Sequence, residues 1–474
     1  MRSYLKYILC LLVIQVGSSQ VELPLDSLNK IFRFDEYLGY VKRFHPVVKQ
    51  AQLVIDESQA NLMRSRGAFD PKIEVDYDRK KFKNTEYYDK LNATFKIPTW
   101  YGIELKGNFE DNRGDFLNPE NDTSAEGLYS AGVSFSLAQG LLINKRMAQL
   151  KQAKLFREQA KADRDLLVNN ILYEASLAYF KWLQAYKENQ LFQRFLVNAE
   201  QRFQGIKRGA ETGQFAAIDS VEARIAVNDR VLKAEQTRIK FVKASFELTN
   251  YLWFDGNIPI ELQPGVIPDL ETETVVDDTF NLSSFEPDSL LLDAHPKLLS
   301  LDYKLQNLQV DRQLKSNMLL PRIDLEYNFL NERNNSIDAF TTSNYKAAVN
   351  FSFPLFLRKE RGELNLAKLK IRDAEFEIDA TRITLGNKIE AIRQELASFI
   401  VQNDVTEQMV SDYERMLRAE IRKFDIGESS LFLVNSRESS LINSQLKAIE
   451  LQNKYFSTKA KLFNSLALNP DFLY

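Results

Sequence analysis

The feature that most constrains this chain is a pair of long proline-free stretches, residues 120–258 and 355–469, set in a sequence that is written twice. Proline is the strongest helix breaker, and the prolines other than Pro470 lie in short segments that read as strands, turns or linkers. A helical run of about 70 residues reaches roughly 105 Å at 1.5 Å per residue. Globular helices average about 11–12 residues, so a compact core is the poorer use of such a run. The chain is built to span a distance.

The repeat is visible residue by residue. His45-Pro46 opens one copy and His295-Pro296 the other, with proline in the first helical turn, where its missing N–H is not needed. A helix of about 20 residues is expected after each, to about Ser65 and Ser316. Then Lys72-Ile73-Glu74-Val75-Asp76-Tyr77 and Arg322-Ile323-Asp324-Leu325-Glu326-Tyr327 alternate charged with apolar residues, the period of a strand. Each copy has a closing strand, with Tyr129, Ala131, Val133, Phe135 and Leu137 on one face in the first. In the second these are Tyr345, Ala347, Val349, Phe351 and Phe353. His45 and Val133 are 88 positions apart but His295 and Val349 only 54, so the first copy is longer by 34. The surplus holds two more alternating runs, Leu91-Ala93-Phe95-Ile97 and Tyr101-Ile103-Leu105-Phe109, and a Gly/Asn/Pro/Asp cluster from Asp111 to Asp122 that reads as an exposed loop.

Both copies turn helical after their strands, near Ile143 and Arg358. Ile171, Ala175, Ala178, Trp182 and Ala185 are spaced 4-3-4-3, a heptad seam, and Leu172, Tyr179, Leu183 and Tyr186 form a second seam beside it. Two seams mean two neighbours, as in a ring of helices. The chain reverses at Gly213 and Gly427, glycines suited to the left-handed end of a helix. The returning helices carry apolar residues at intervals of seven: Ile218, Ile225, Leu232, Ile239, Phe246, Trp253, and Val434, Leu441, Ala448, Tyr455, Leu462. A strict seven favours left-handed supercoiling. The expected division is a signal peptide at 1–19, a first repeat at 20–254, a connector rich in Pro, Gly and acidic residues at 255–287, and a second repeat at 288–474.

Composition narrows the function. Arg2 and Lys6, the apolar run Ile8 to Val16 and Gly17-Ser18-Ser19 have the form of a secretory signal. The one cysteine, Cys10, sits inside it, so an exported chain has no disulfide framework, thiolate metal site or cysteine nucleophile. A net charge of −3 with no basic block argues against nucleic acid as a partner. Beyond the signal no stretch of ~18 apolar residues occurs, so no transmembrane helix is expected. Strands with one apolar and one charged face suit a water-filled barrel in lipid, and a half-buried soluble sheet would alternate in the same way. A closed membrane barrel needs at least about 8 strands; two strands in one copy and four in the other imply several chains.

With these residues in hand, the chain resembles the TolC-type outer-membrane efflux family over essentially its whole length after the signal. The resemblance rests on the twofold repeat, the His-Pro helix starts, the closing strand Val349-Asn350-Phe351-Ser352-Phe353 with Pro354-Leu355-Phe356 and basic Arg358 and Lys359 after it, and the two hairpin tips. The first copy has Ala138-Gln139-Gly140-Leu141 at the equivalent junction. It implies a mainly α chain with a membrane β-barrel portion: a homotrimer whose barrel in outer-membrane lipid continues as an α-helical barrel through the periplasm. It also implies a periplasmic adaptor and an inner-membrane pump as partners. The tips that would meet the adaptor are Gly213, Gln214, Phe215, Ala217 and Asp219 in the first hairpin, and Gly427, Ser429, Ser430 and Leu431 in the second. Some members ring the narrow end with aspartates and tie the closed tip with an arginine. Here Leu433 and Ser436 stand at the aspartate positions, as the candidate constriction, and Ser429 at the arginine position.

The histidines are read as helix-start residues rather than metal ligands, Asp219 as a helix N-terminal residue or part of a tip lock, and Trp182 and Tyr186 as seam packing. No phosphate-cradling glycine loop, zinc spacing or nucleophile triad occurs, so no cofactor is expected. The expectation is a passive export duct of a tripartite efflux or type I secretion system, energised by another protein. The alternative is a soluble periplasmic coiled-coil adaptor or scaffold, which would lack strands with a lipid-compatible face.

Overall fold

The computed structural model describes residues 31–263, 265–282, 290–332 and 340–468. The expected signal peptide with Cys10, and residues 264 and 283–287 of the expected connector, lie outside them. A short strand β1 (Ile31–Phe32) leads into α1 (Phe34–Phe44) and α2 (Pro46–Arg66), followed by four strands, β2 (Lys72–Phe82), β3 (Thr85–Pro98), β4 (Ile103–Arg113) and β5 (Leu128–Ala138). The first hairpin is α3 (Lys145–Glu211) and α4 (Ala217–Thr249). Short strands β6 (Trp253–Phe254), β7 (Ile258–Pro259) and β8 (Ile267–Pro268) and helices α5 (Thr272–Phe280) and α6 (Leu290–Asp293) precede the second repeat. That repeat is α7 (Pro296–Asn317), β9 (Arg322–Asn331), β10 (Tyr345–Ser352), α8 (Arg358–Asp425) and α9 (Leu431–Leu466).

The long helices have 67 and 68 residues, each about 100 Å of rod. Each is matched by two shorter helices laid end to end: α2 and α4 run beside α3, and α7 and α9 beside α8. Because α7 and α9 also pack on α3, the protomer is a layer four helices wide. Its upper half reads α2-α3-α7-α8 and its lower half α4-α3-α9-α8. The layer ends at α2 and α4 on one side and at α8 on the other.

Local chemistry sets the helix starts. His45 Nδ1 accepts the N–H of Val47 at 3.2 Å, and His295 Nδ1 that of Lys297 at 3.1 Å, each ahead of a proline at the first helical position. Asn144 Oδ1 caps α3 by accepting Met147 N–H at 2.9 Å, and the Ser430 side chain caps α9. Such caps satisfy N–H groups that a helix start leaves open.

The largest core lies halfway along α3. Leu172, Tyr179, Phe180 and Trp182 meet Phe34, Tyr37 and Leu38 of α1, Leu248 of α4, Val276 and Phe280 of α5, and Phe456 and Phe463 of α9. Both seams expected on α3 therefore face neighbours. The segment after α4 does more than connect: β8 pairs with β1 in parallel, and α5 sits on α1 and α9. The stripes of sevens divide. Val434 and Leu441 of α9 are buried, whereas Ile218, Ile225, Leu232, Ile239 and Phe246 of α4 are all exposed. Trp253, expected to extend the α4 stripe, stands in β6 instead, because α4 ends at Thr249.

Candidate conduit and hairpin tips

Six strands form one antiparallel sheet in the order β10-β9-β5-β4-β3-β2. Apart from the two β2–β3 pairs beyond the bulge at Lys80/Lys81, every register in it pairs odd-numbered residues with odd, so one face collects the apolar side chains of all six strands. One row runs Ile73, Phe95, Gly107, Ala131, Phe329, Tyr345, and a lower one Ile103, Phe135, Leu325, Val349. The even face collects Glu74, Asp76, Asn92, Thr94, Lys106, Asn108, Ser134, Glu326 and Asn350. It is laced across strands: Thr94 Oγ1 donates to Asn108 at 2.8 Å, Lys106 Nζ to Glu326 at 3.2 Å, and Ser136 Oγ to Asp324 at 2.6 Å.

The apolar band has limits. From Tyr129 to Leu137 it is about 20 Å tall once strand tilt is included, against roughly 25 Å for membrane barrels. Phe109 and Tyr129 (ring centroids 4.8 Å apart) and Tyr327 and Tyr345 (5.3 Å) mark its far edge. Above Tyr77 the same face turns charged, with Arg79 beside Asp89 at 3.7 Å. The two-residue turn joining β2 to β3, at Lys83 and Asn84, has positive φ at both positions, the hairpin geometry that matches strand twist.

The far ends of the helical hairpins carry the expected tips. Gly213 (φ +79°) and Gly427 (φ +80°) both take the left-handed conformation with open space around them. Gly213, Gln214, Ala217 and Gly427 are exposed. Asp219 accepts the N–H of Ala216 at 3.2 Å, capping the start of α4. Phe215 folds back onto Gly209, where a Cβ would stand 2.2 Å from its ring, and stacks on Phe424 of the second hairpin at 5.7 Å and 7°. Ser429 Oγ donates to Glu420, and Ser430 is exposed at its capping position. Leu431 is 3% exposed and packs with Ile206 and Ala223, so it shapes the tip from beneath. Leu433 and Ser436 are exposed one turn further along α9.

Sequence reasoning missed the groups that hold the two hairpins together. Glu438 of α9, 2% exposed, is gripped by Arg202 of α3 and, at 3.4 Å, by Arg230 of α4. Arg202 also donates to Asn435 at 3.2 Å, and Asn435 to Glu222 of α4 at 3.0 Å. These partners are more than 200 residues apart in sequence, and no local pattern marks them. Both cap histidines are buried, at 8% and 5% exposure. His295 Nε2 lies 3.2 Å from the carbonyl of Ser465, and burial lowers the pKa of both rings below the ordinary value, keeping Nδ1 free to accept.

Residues 289–468 match the family described as outer membrane efflux protein. Solved structures match nearly the whole length. The Campylobacter jejuni CmeC outer membrane channel aligns over 92% of this chain and 85% of its own, at 15% identity and a TM-score of 0.65. The Neisseria gonorrhoeae MtrE outer membrane channel, in its open state, covers 94% of each chain at 14% identity and 0.64. The chain has the fold of these channels. The Vibrio cholerae outer membrane protein VceC has the same fold, at 13% identity, 92% and 96% coverage and 0.64. No curated protein sequence matches.

Proposed function

We propose that three copies of this chain form the passive outer-membrane duct of a tripartite efflux or type I secretion system, with its hairpin tips presented to a periplasmic adaptor coupled to an inner-membrane pump. The observation that carries the trimer is that the protomer is an open wall. Among the described residues its sheet ends in unpaired strands β2 and β10, and its helix layer ends on the same two sides in exposed apolar ribbons. Total accessible surface is 29894 Å², against about 18,000 Å² for a compact chain of this mass. In lipid an open sheet edge costs several kcal/mol for each unsatisfied backbone group, so closure with further copies is obligatory.

The cargo path would be the polar sheet face continued by the inner surface of the helices. The clamp on Glu438 and the Phe215–Phe424 stack keep the hairpins together, and outward movement of one hairpin against the other would open the narrow end. Gly213, Gln214, Phe215, Ala217, Asp219, Gly427, Ser429 and Ser430, backed by Leu431, are the proposed adaptor contacts, and Leu433 and Ser436 line the proposed constriction. Cargo chemistry is left open by so wide a wall. The deciding experiment extracts the protein from outer membranes in detergent and measures its native mass. Three chains that conduct ions in a planar bilayer support the reading; a detergent-independent monomer in the periplasmic fraction overturns it.

A further inference from the structure

We propose that the membrane portion is an 18-stranded barrel in which β2 of each copy pairs directly with β10 of the next, in a register that sets Val75 opposite Val349. The inference rests on the trimer proposed above and extends it to how the copies are sewn together and how wide the bore is.

The first argument is arc length. Four helices at 8–10 Å spacing span about 32–40 Å of wall. Six strands about 4.8 Å apart, tilted about 35–45°, span roughly 35–41 Å. The two layers of one protomer therefore subtend the same arc, and helices and strands continue into one another without a taper. Had the first repeat carried only two strands, as the second does, the four strands at the same tilt would span about 25 Å and would have to lean by more than about 50° to match the helices. The extra β2–β3 pair fills that shortfall. Three such arcs close a barrel about 35 Å across between backbones, within the porin range of strand number.

The second argument is shear. A row of paired residues runs from Lys72 through Lys96, Lys106, Gly132 and Asn328 to Lys346. Lys72 is the first residue of β2, but Lys346 lies six residues before the end of β10 at Ser352. One residue of stagger per strand corresponds to a tilt of about 35°, the value that closed barrels need. The sheet is already sheared for closure.

The third argument is charge. β2 runs away from the helices and β10 returns toward them, so the two free edges meet antiparallel. Continuing the row across the boundary with the strand ends level places Asp78 opposite Lys346, Glu74 opposite Asn350 and Lys72 opposite Ser352 on the polar face. Val75 then faces Val349, and Ile73 faces Phe351, on the apolar face. A slip of one residue would turn apolar side chains into the lumen. A slip of two in one direction would set Lys80 against Lys346, and like charges directly opposite are destabilising; a slip of two in the other pairs Asp76 with Lys346 but leaves Ser352 beyond the first residue of β2.

The test is disulfide trapping in intact outer membranes, in a Cys10→Ser background that is otherwise free of cysteine. Val75→Cys with Val349→Cys should oxidise to a ladder ending in a covalent trimer, while Leu105→Cys with Val349→Cys should stay monomeric on a denaturing gel. If the β2–β3 pair instead lay outside the barrel, β4 would be the edge. The Leu105 and Val349 cysteines would then cross-link in a particle of three chains, overturning the inference while the trimer stands. Neither pair cross-linking also overturns it. A native mass other than three chains overturns it through the trimer itself.

Discussion

The two long helices are almost equal in length and hold equivalent places in the repeat, yet their surroundings are opposite. Helix α3 is flanked on both sides along its whole length, by α2 and α7 above, α4 and α9 below and α1 at the middle. Helix α8 packs on α7 and α9 and leaves Leu366, Leu369, Phe376 and Ile383, then Val401, Val405 and Met409, in the open. The returning helices differ in the same sense, with the stripe of sevens on α9 largely inside and that on α4 outside. Duplication made two like hairpins, and the layered fold turned one into the centre of the protomer and the other into its rim. Exposed ribbons this long are uncommon on monomers; in the trimer proposed above, α8 of one copy would meet α2 and α4 of the next.

Several experiments would break or sharpen that contrast. The largest effect is expected at the rim: Ile225→Asp combined with Phe376→Asp, at sites 63% and 71% exposed, should abolish trimer assembly and leave the melting of the helical protomer unchanged. Sedimentation and circular dichroism would read both. A stable trimer from this double variant would show that the ribbons are not interfaces. At the centre, Trp182→Ala empties a fully buried site and should cost about 3–5 kcal/mol, lowering the melting temperature of the protomer itself. Glu438→Ala leaves Arg202 and Arg230 facing each other without their shared anion. It should cost about 3 kcal/mol and loosen one hairpin from the other, giving higher ion conductance in bilayers. Gly213→Glu with Gly427→Glu strains two left-handed positions by about 1–2 kcal/mol each. It should impair export while trimers still assemble; normal export would mean the tips meet no adaptor.

The smallest effect is in pH. Burial lowers the pKa of His45 and His295 in the folded chain, so below about pH 6.5 the unfolded chain takes up protons that the folded one refuses, and stability falls with pH through that window. Replacing both with asparagine, which caps a helix without titrating, should flatten the difference in melting temperature between pH 7.5 and pH 5.5. An unchanged pH slope would place its origin elsewhere.

Much of the fold was legible because it is periodic. Alternation at period two marked all six strands of the sheet, Gly213 and Gly427 marked the turns, and the His-Pro pairs marked two helix starts. The tips were located by resemblance, and their glycines do take the conformation that only glycine adopts freely. Less was legible where partners are distant. That Phe215 stacks on Phe424, and that Glu438 collects two arginines, follows from how one hairpin lies against another. The short helix α5 was hidden in a segment whose Pro, Gly and acidic residues read as a connector, although Val276 and Phe280 are buried in the main core.

By itself the sequence determined the length of the rods, the two faces of the strands and the need for company, because these follow from local periodicity and from apolar surface that one chain cannot cover. Only the tertiary structure decided which of two equivalent helices is interior and which is rim, and how far the sheet is sheared. Those outcomes depend on registers between elements hundreds of residues apart, where many pairings satisfy the same local pattern and packing selects one.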